Sequence, residues 1–435
     1  MRYSHYKPTG IPWLPEIPEG WEMRPFKSIY GFGKGLPITK ENLVAEGVPV
    51  VSYGQIHSKD NDGTTLSDSL LRFVDKSYIE TNSQCLLQTG DMAIADTSED
   101  LEGCGNAVVM DRSERVFAGY HTIIGRIKES TNAAFLAYEF CCNAWRSQIR
   151  LAVHGVKLYS ITKQILSGTR FVLPPLSIQR AIVAFLDEKC GKVNRLVAAK
   201  EKEVALLKEL KQAMIAEAVT RGVRENRRLV PSGIPWLPEV PEGWEVKSLR
   251  QFLKMVSRKG FPEKQLLSVT REQGVVVRNV ESKEENHNFI PDDLSNYKLV
   301  EIGDFAINKM KSWQGSYGVS DYEGIVSPAY YICKLSGVDR KFFSVAIRSR
   351  PYVSFFGRFS KGIRVDQWDL SPVGLKEIPF LLPPLAEQRE IVAHIEARAA
   401  KIDAAVVGLE KEIAALKEYK QRLIADVVTG QRKVA

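Results

Sequence analysis

The chain repeats itself, and that repeat limits what it can fold into more than any other feature. Residues 10–22 read Gly-Ile-Pro-Trp-Leu-Pro-Glu-Ile-Pro-Glu-Gly-Trp-Glu and return at 233–245 with Val240 in place of Ile17. A second stretch, Leu173-Pro174-Pro175-Leu176 with Gln179-Arg180 behind it, returns as Leu382-Pro383-Pro384-Leu385 with Gln388-Arg389. Two long matches in the same order point to a tandem duplication with units near 10–222 and 233–430. Whatever one unit folds into, the chain must accommodate twice.

Each Pro pair opens a long run without proline. A Pro pair fixes extended backbone before a helix, and its missing N–H costs nothing in the first turn. Behind Pro384, positions seven apart read Ile395, Ile402, Leu409, Leu416 and Leu423, with Ala399, Val406, Ile413, Lys420 and Val427 four residues on. Alternating steps of four and three make a narrow apolar seam of the kind a helix buries against another helix. The same rows in the first copy are Leu186, Val193, Lys200, Leu207, Met214 and Cys190, Val197, Val204, Lys211, Ala218. Lys211 and Lys420 fall on equivalent seam positions. They read either as a pair that fixes register or as snorkelling stems at a seam end.

Between the repeated segments lie two heads that share an outline but few letters. Short apolar runs at 48–53, 91–95 and 121–127, separated by Gly, Asn and Asp, predict strands. Residues 133–153 carry apolar positions at helical spacing and predict one helix ending before His154-Gly155. In the second head, Gly303-Asp304-Phe305-Ala306-Ile307 answers Gly90-Asp91-Met92-Ala93-Ile94, the run from Ala329 answers the strand at His121, and Lys361-Gly362-Ile363-Arg364 answers His154-Gly155-Val156-Lys157. The Pro-rich segments, each with two Trp, predict extended straps packed on a domain edge.

The fold expected is α+β: two heads joined by two long helices that form an antiparallel coiled coil with pseudo-twofold symmetry. The segments expected are a first head with its strap at 1–172, a central helix at 173–222, a second head with its strap at 223–381 and a C-terminal helix at 382–435. Antiparallel pairing follows from chain order, because the first helix carries the chain from head 1 to head 2, where the second begins. Helices of roughly 40 residues span about 60 Å, somewhat under two turns of B-DNA at about 34–36 Å each.

Composition narrows the function by exclusion. The net charge of +8 favours an acidic partner such as nucleic acid, although Lys and Arg are interleaved with Asp and Glu. Six cysteines form no CxxC pair and six histidines no HxxxH, so neither a disulfide framework nor a zinc site is expected. There is no GxxxxGK[ST] loop, no Gly-x-Ser-x-Gly elbow and no Asn/Asp-Pro-Pro-Tyr/Phe motif. Gly31-Phe32-Gly33-Lys34-Gly35 is glycine-rich but lacks the Ser/Thr of a phosphate loop. No apolar run reaches membrane length and no secretory leader is recognisable, so a cytoplasmic location is expected.

Two divergent heads, each followed by Leu-Pro-Pro-Leu-x-x-Gln-Arg and a long helix and each preceded by a Pro-Glu-Gly-Trp-Glu strap, resemble the specificity subunit of type I restriction–modification systems. The resemblance implies a non-catalytic protein whose heads are target recognition domains, each reading one half of a split, asymmetric sequence in double-stranded DNA. It implies helices that set the spacer and dock two modification subunits, with restriction subunits joining the assembly. S-adenosylmethionine, ATP and Mg belong to those partners, so no cofactor is expected here. The alternative is a non-enzymatic coiled-coil scaffold with two protein-binding heads.

Groove reading needs Arg, Lys, Asn or Gln on accessible loops. In head 2 the richest stretch holds Lys309, Lys311, Trp313 and Gln314, with Lys361 and Arg364 in a second loop; the bland reading is a solvated turn with a packed Trp. In head 1 the answering positions, 96–100, are acidic, a departure from that expectation. The head 1 candidates are therefore Lys34, Lys40, Gln55, His154 and Lys157. Arg146, Arg150, Arg348 and Arg350 are expected to meet phosphate or form salt bridges. Gln179, Arg180, Gln388 and Arg389, repeated at the first turns of the long helices, suit two equivalent docking sites, or else helix capping against the adjoining head.

Overall fold

The structure, a computed structural model, describes residues 2–128, 131–155, 157–235, 237–280, 290–362 and 368–434. It divides into two compact units, residues 1–201 with 411–435, and residues 202–410. Each unit therefore holds one strap, one head and a portion of both long helices.

In the first unit a four-stranded antiparallel sheet runs in the order Ala107–Val109, Met92–Ala95, Thr122–Ile127, Tyr30–Lys34. Met92–Ala95 is buried along its whole length, which is why it reads as a continuous apolar run. Gly31 and Gly33 belong to the edge strand rather than to a phosphate loop, and a Cβ on Gly33 would lie 3.0 Å from the Ile124 side chain. A second sheet, in the order Arg72–Val74, Val48–Val51, Val116–Ala118, Leu86–Leu87, contains one parallel pairing.

The second unit repeats the first sheet strand for strand. Its order is Leu253–Val256, Tyr331–Leu335, Phe305–Ile307, Tyr317–Val319, again antiparallel throughout. The second layer recurs in looser form: Leu267–Thr270 pairs antiparallel with Gly274–Val277, Lys298–Val300 pairs antiparallel with Gly324–Val326, and a single parallel bridge between Leu266 and Ile325 joins the two pairs. Each head is closed by a two-stranded clasp beside the long helix, Glu22–Pro25 with Arg170–Leu173 and Glu245–Ser248 with Pro379–Leu382.

Two expectations need correction. Each strap is a hairpin rather than a single extended segment, pairing Tyr6–Ile11 with Leu14–Pro18 and Leu229–Ile234 with Leu237–Pro241. Its anchor is one Trp: Trp21 and Trp244 are buried while Trp13 is exposed at the hairpin turn, and Trp236 lies outside the described residues. Residues 133–153 form two helices, Ala133–Cys141 and Asn143–Arg150, because Cys142 takes extended backbone with φ −80° and ψ 145°. The break turns Trp145 back over Phe140 and Phe171 at 3.9 and 5.6 Å between ring centroids, and a straight helix would forgo this aromatic packing.

The long helices run Leu176–Arg221 and Leu385–Val428. Each is followed by a glycine with positive φ, Gly222 at +76° and Gly430 at +75°, a conformation that ends helices and that side chains with a Cβ resist. Within the first unit Ile182, Leu186 and Cys190 share a core with Leu423, Ile424, Val427 and Val428. Within the second, Ile391, Val392 and Ile395 share one with Met214, Ala218 and Val219. Ile391 and Ile395 stand 209 positions after Ile182 and Leu186, and Leu423, Val427 and Val428 stand 209 after Met214, Ala218 and Val219.

Candidate functional site

The part that both heads share is an aspartate behind a glycine at the start of the central strand, the end away from Asp96 and Lys309. Gly90 and Gly303 take φ of +91° and +95°, which turns the chain into the central strand. The next residue, Asp91 or Asp304, is buried and accepts the Gln88 N–H at 2.8 Å or the Glu301 N–H at 2.9 Å. An arginine pairs with each, Arg126 for Asp91 from the strand Thr122–Ile127 and Arg258 for Asp304 from the segment that follows Leu253–Val256. A buried carboxylate demands such a partner. The demand leaves open which element supplies it.

Five residues further on, the strand emerges at Asp96 in head 1 and at Lys309 in head 2. Asp96 Oδ1 lies 3.2 Å from His121 Nδ1 and accepts the Thr97 hydroxyl at 2.7 Å. His57 Nδ1 sits 3.1 Å from the Asn106 amide nitrogen and Nε2 sits 2.8 Å from the Thr97 carbonyl. The amide donates to Nδ1 and Nε2–H donates to the carbonyl, so the two bonds together orient the ring. Tyr53 stands edge-on to His57, Tyr120 and His121 at 5.4–6.2 Å. Beside this group opens a cleft of about 590 Å³ lined in part by His57, Thr97, Glu99, Asp100 and Asn106.

In head 2, Lys309 Nζ is 3.0 Å from Asp369, whose carboxylate holds the ammonium above the usual lysine range. Asn308 donates to the Tyr330 hydroxyl at 3.2 Å. Ser312–Gln314 form a single 3₁₀ turn ended by Gly315 at φ +95°, and Trp313 packs on Trp368 at 4.9 Å between ring centroids. Lys311 and Lys361 are exposed, and Lys361 stands opposite Asp369 in the register of a short strand pair. Lys309, Lys361 and Asp369 are thereby brought together; Arg364 lies outside the described residues.

The head 1 candidates are less gathered. Lys34 is exposed at the end of its strand opposite Ile123, and Lys40 is exposed in a separate 3₁₀ turn. His154 and Lys157 are exposed just ahead of Tyr159–Ser160, the strand paired with Thr97–Ser98. Gln55 closes a capping box by accepting the Ser52 N–H at 3.2 Å, so its amide serves the fold. Sequence reasoning passed over His57, His121, Tyr53, Tyr330 and Asp369. The signal that leads to them is the alignment of Gly90-Asp91 with Gly303-Asp304, which puts Asp96 against Lys309.

At the helix starts the amides turn inward. Gln179 and Gln388 are buried; their Nε2 atoms donate to the Pro174 and Pro383 carbonyls at 2.8 Å, and their Oε1 atoms accept the Asn132 and Asp339 N–H groups at 3.1 and 2.8 Å. They lock each long helix to its own head, so neither amide is offered to a partner. Arg180 and Arg389 remain exposed. Of the other arginines Arg350 forms the expected salt bridge, while the other three meet backbone carbonyls. Arg150 and Arg348 donate to backbone carbonyls, Arg348 clamping the turn before Gly274 through Arg271, Glu272 and Tyr317. Arg146 donates to the Phe140 carbonyl, and Arg350 approaches Glu209 at 3.9 Å.

Among the described residues no group of three or more His, Cys, Asp or Glu could hold a metal ion, and no helix is long and apolar enough to cross a membrane. Residues 18–205 match the model of the type I restriction modification DNA specificity domain. The chain is 23% identical to a putative type I restriction enzyme MjaX specificity subunit of Methanocaldococcus jannaschii, over 99% of this chain and 97% of that one. It is 21% identical to the type I restriction enzyme EcoKI specificity subunit of Escherichia coli K12, over 96% and 90%. A solved chain from work on complex assembly and conformational transition of the type I R-M system superposes with a TM-score of 0.65 at 16% identity, covering 96% of this chain and 99% of that one, a likeness of fold. Residues 18–205 are thus similar to the type I restriction modification DNA specificity domain, and nearly the whole chain is similar to type I restriction enzyme specificity subunits.

Proposed function

We propose that this chain is the DNA sequence-specificity subunit of a type I restriction–modification complex, with each head reading one half of a bipartite, asymmetric site. The observation that carries the reading is the contrast inside the duplication: one sheet frame occurs twice, while the residues where the central strands emerge change from Asp96 and His121 to Lys309 and Ala329. A duplicated protein that bound one ligand twice would have reason to keep its tips alike. In head 2 the contacting groups are Lys309, Lys311, Trp313, Gln314 and Lys361; in head 1 they include Lys34, Lys40, His154 and Lys157.

The two long helices pair antiparallel along their seams under pseudo-twofold symmetry and set the unread spacer. Support comes from two pairs of bonds that the repeat relates. Lys211 donates to Asp403 at 2.6 and 2.7 Å and Lys420 to Asn194 at 3.0 Å; Lys208 meets Glu410 at 3.1 Å and Lys417 meets Glu201 at 2.9 Å. In each second bond the donor stands 209 positions after the first donor and the acceptor 209 positions before the first acceptor. The seam lysines thus act as a register device. The complex contains two modification subunits, docked near Arg180 and Arg389, and restriction subunits. S-adenosylmethionine, ATP and Mg reside in those partners, and this chain is a non-catalytic cytoplasmic component.

The test is a map of modified adenines across the source genome with the gene intact and deleted. Loss of methylation from one motif, two short blocks around a fixed gap, is the expected result. If the map is unchanged, co-expression with the adenine methyltransferase subunit decides, and a complex that then modifies no two-block motif overturns the reading.

A further inference from the structure

Both tips are built on one backbone join. The Ile161 N–H donates to the Asp96 carbonyl at 2.8 Å in head 1, and the Leu370 N–H donates to the Lys309 carbonyl at 3.0 Å in head 2. Asp96 and Lys309 each stand five residues after the buried, arginine-paired aspartate. One position of the repeated frame therefore carries a carboxylate in one head and an ammonium in the other.

Each group is held in place yet left accessible. Asp96 is braced by His121 and Thr97, and Lys309 by Asp369; the side chains of Asp96 and Lys309 keep 34% and 29% of their surface exposed. His121 adopts φ +53°, a conformation sparsely populated by residues with a side chain, and this places its ring against Asp96. A carboxylate near DNA is repelled by phosphate, so an acid held at the tip needs a compensating contact. The major groove supplies one in exocyclic amines, best matched by cytosine N4, while Lys is matched by the N7 and O6 acceptors of guanine.

Resting on the specificity reading above, we propose that this shared position contacts a base in each head and that its reversed charge makes the two heads read opposite hydrogen-bond polarity. Asp96 accepts from a cytosine amine in one half-site and rejects bases that present only acceptors there. Lys309 donates to a guanine in the other half-site. His121 and Asp369 are positioning residues, acting on the base through Asp96 and Lys309.

The experiment uses the full chain assembled with its adenine methyltransferase subunits and a library of randomised DNA duplexes, with bound duplexes sequenced. The wild-type complex is expected to select a two-block motif. Asp96→Asn is expected to lower discrimination at a cytosine of one block by roughly 5- to 100-fold, the worth of one good base contact. Lys309→Gln is expected to move a guanine of the other block toward adenine, the base that Gln matches. Lys309→Arg is expected to keep guanine, and Asp369→Asn to weaken the guanine preference more than total binding, a split that loss of folded protein would not produce. Unchanged letters with altered binding strength, or both substitutions acting on one block, would overturn the proposal and leave the specificity reading standing. A wild-type complex that selects no two-block motif overturns both.

Discussion

Head 1 and head 2 agree where a backbone or buried charge must be satisfied and differ in which residue satisfies it. The Val172 N–H donates to the Glu139 carboxyl, while the equivalent Leu381 N–H donates to the Tyr352 hydroxyl at 2.9 Å. Asp91 and Asp304 hold the same place and take arginines from different segments. A buried donor needs an acceptor and a buried carboxylate needs a cation. Those needs fix geometry without fixing letters, so two copies can diverge widely while the sheet order stays the same.

The largest expected effect tests the shared frame. Asp304→Ala takes the buried carboxylate from Arg258, which keeps its pairing with Glu301, and is expected to cost about 1–3 kcal/mol, with a similar loss for Asp91→Ala, whose Arg126 keeps two carbonyl acceptors. Hydrogen exchange, followed by mass spectrometry, should show protection lost from Phe305–Ile307 in the first variant and from Met92–Ala95 in the second. Equal losses sharpen the comparison; a head that tolerates the change breaks it.

A second effect of this size separates the heads. Tyr352→Phe and Glu139→Leu each remove the acceptor of a buried N–H and are expected to cost about 1–3 kcal/mol. Burial pushes the Glu139 carboxyl well above the usual range, partly opposed by the Val172 N–H. Its folded pKa therefore exceeds the unfolded one. The stability it contributes is complete below the ordinary carboxylate range and falls as pH rises through the raised value. Head 1 should lose stability on going from acid toward neutral pH, Glu139→Gln should flatten that slope, and head 2 should lack this component because Tyr352 holds the equivalent place. Denaturant titrations at several pH values measure it.

Gln179→Ala and Gln388→Ala are each expected to cost about 1–2 kcal/mol, two buried hydrogen bonds being lost in either case. Matching values would show that the helix-to-head lock is one device used twice. The smallest effect belongs to the seam. Lys211→Met and Lys420→Met remove partly exposed contacts and should change stability by less than about 1 kcal/mol. The Lys211 effect should fade in high salt because its partner Asp403 is charged, whereas that of Lys420, bonded to Asn194, should fade less. Thermal melts at two ionic strengths check this.

Much of the architecture was legible in the letters. The Pro pairs mark where Leu176–Arg221 and Leu385–Val428 begin, and apolar runs mark the central strands of both heads. The strap hairpins were not, since the turn at Pro12-Trp13 lies inside a segment whose prolines also suit extended backbone. The break at Cys142 was hidden as well, because helical spacing runs across it and only the packing of Trp145 on Phe171 favours the bend.

By itself the sequence determined the duplication and the places where helices start, because a repeat is read directly from the letters and proline geometry acts between near neighbours. Only the tertiary structure decided which side chains meet at the tips. Asp96 joins His121 across 25 residues and Lys309 joins Asp369 across 60, and sheet pairing alone brings such distant groups within hydrogen-bonding reach. It also decided that Gln179 and Gln388 point inward, since burial depends on what the whole head places beside them.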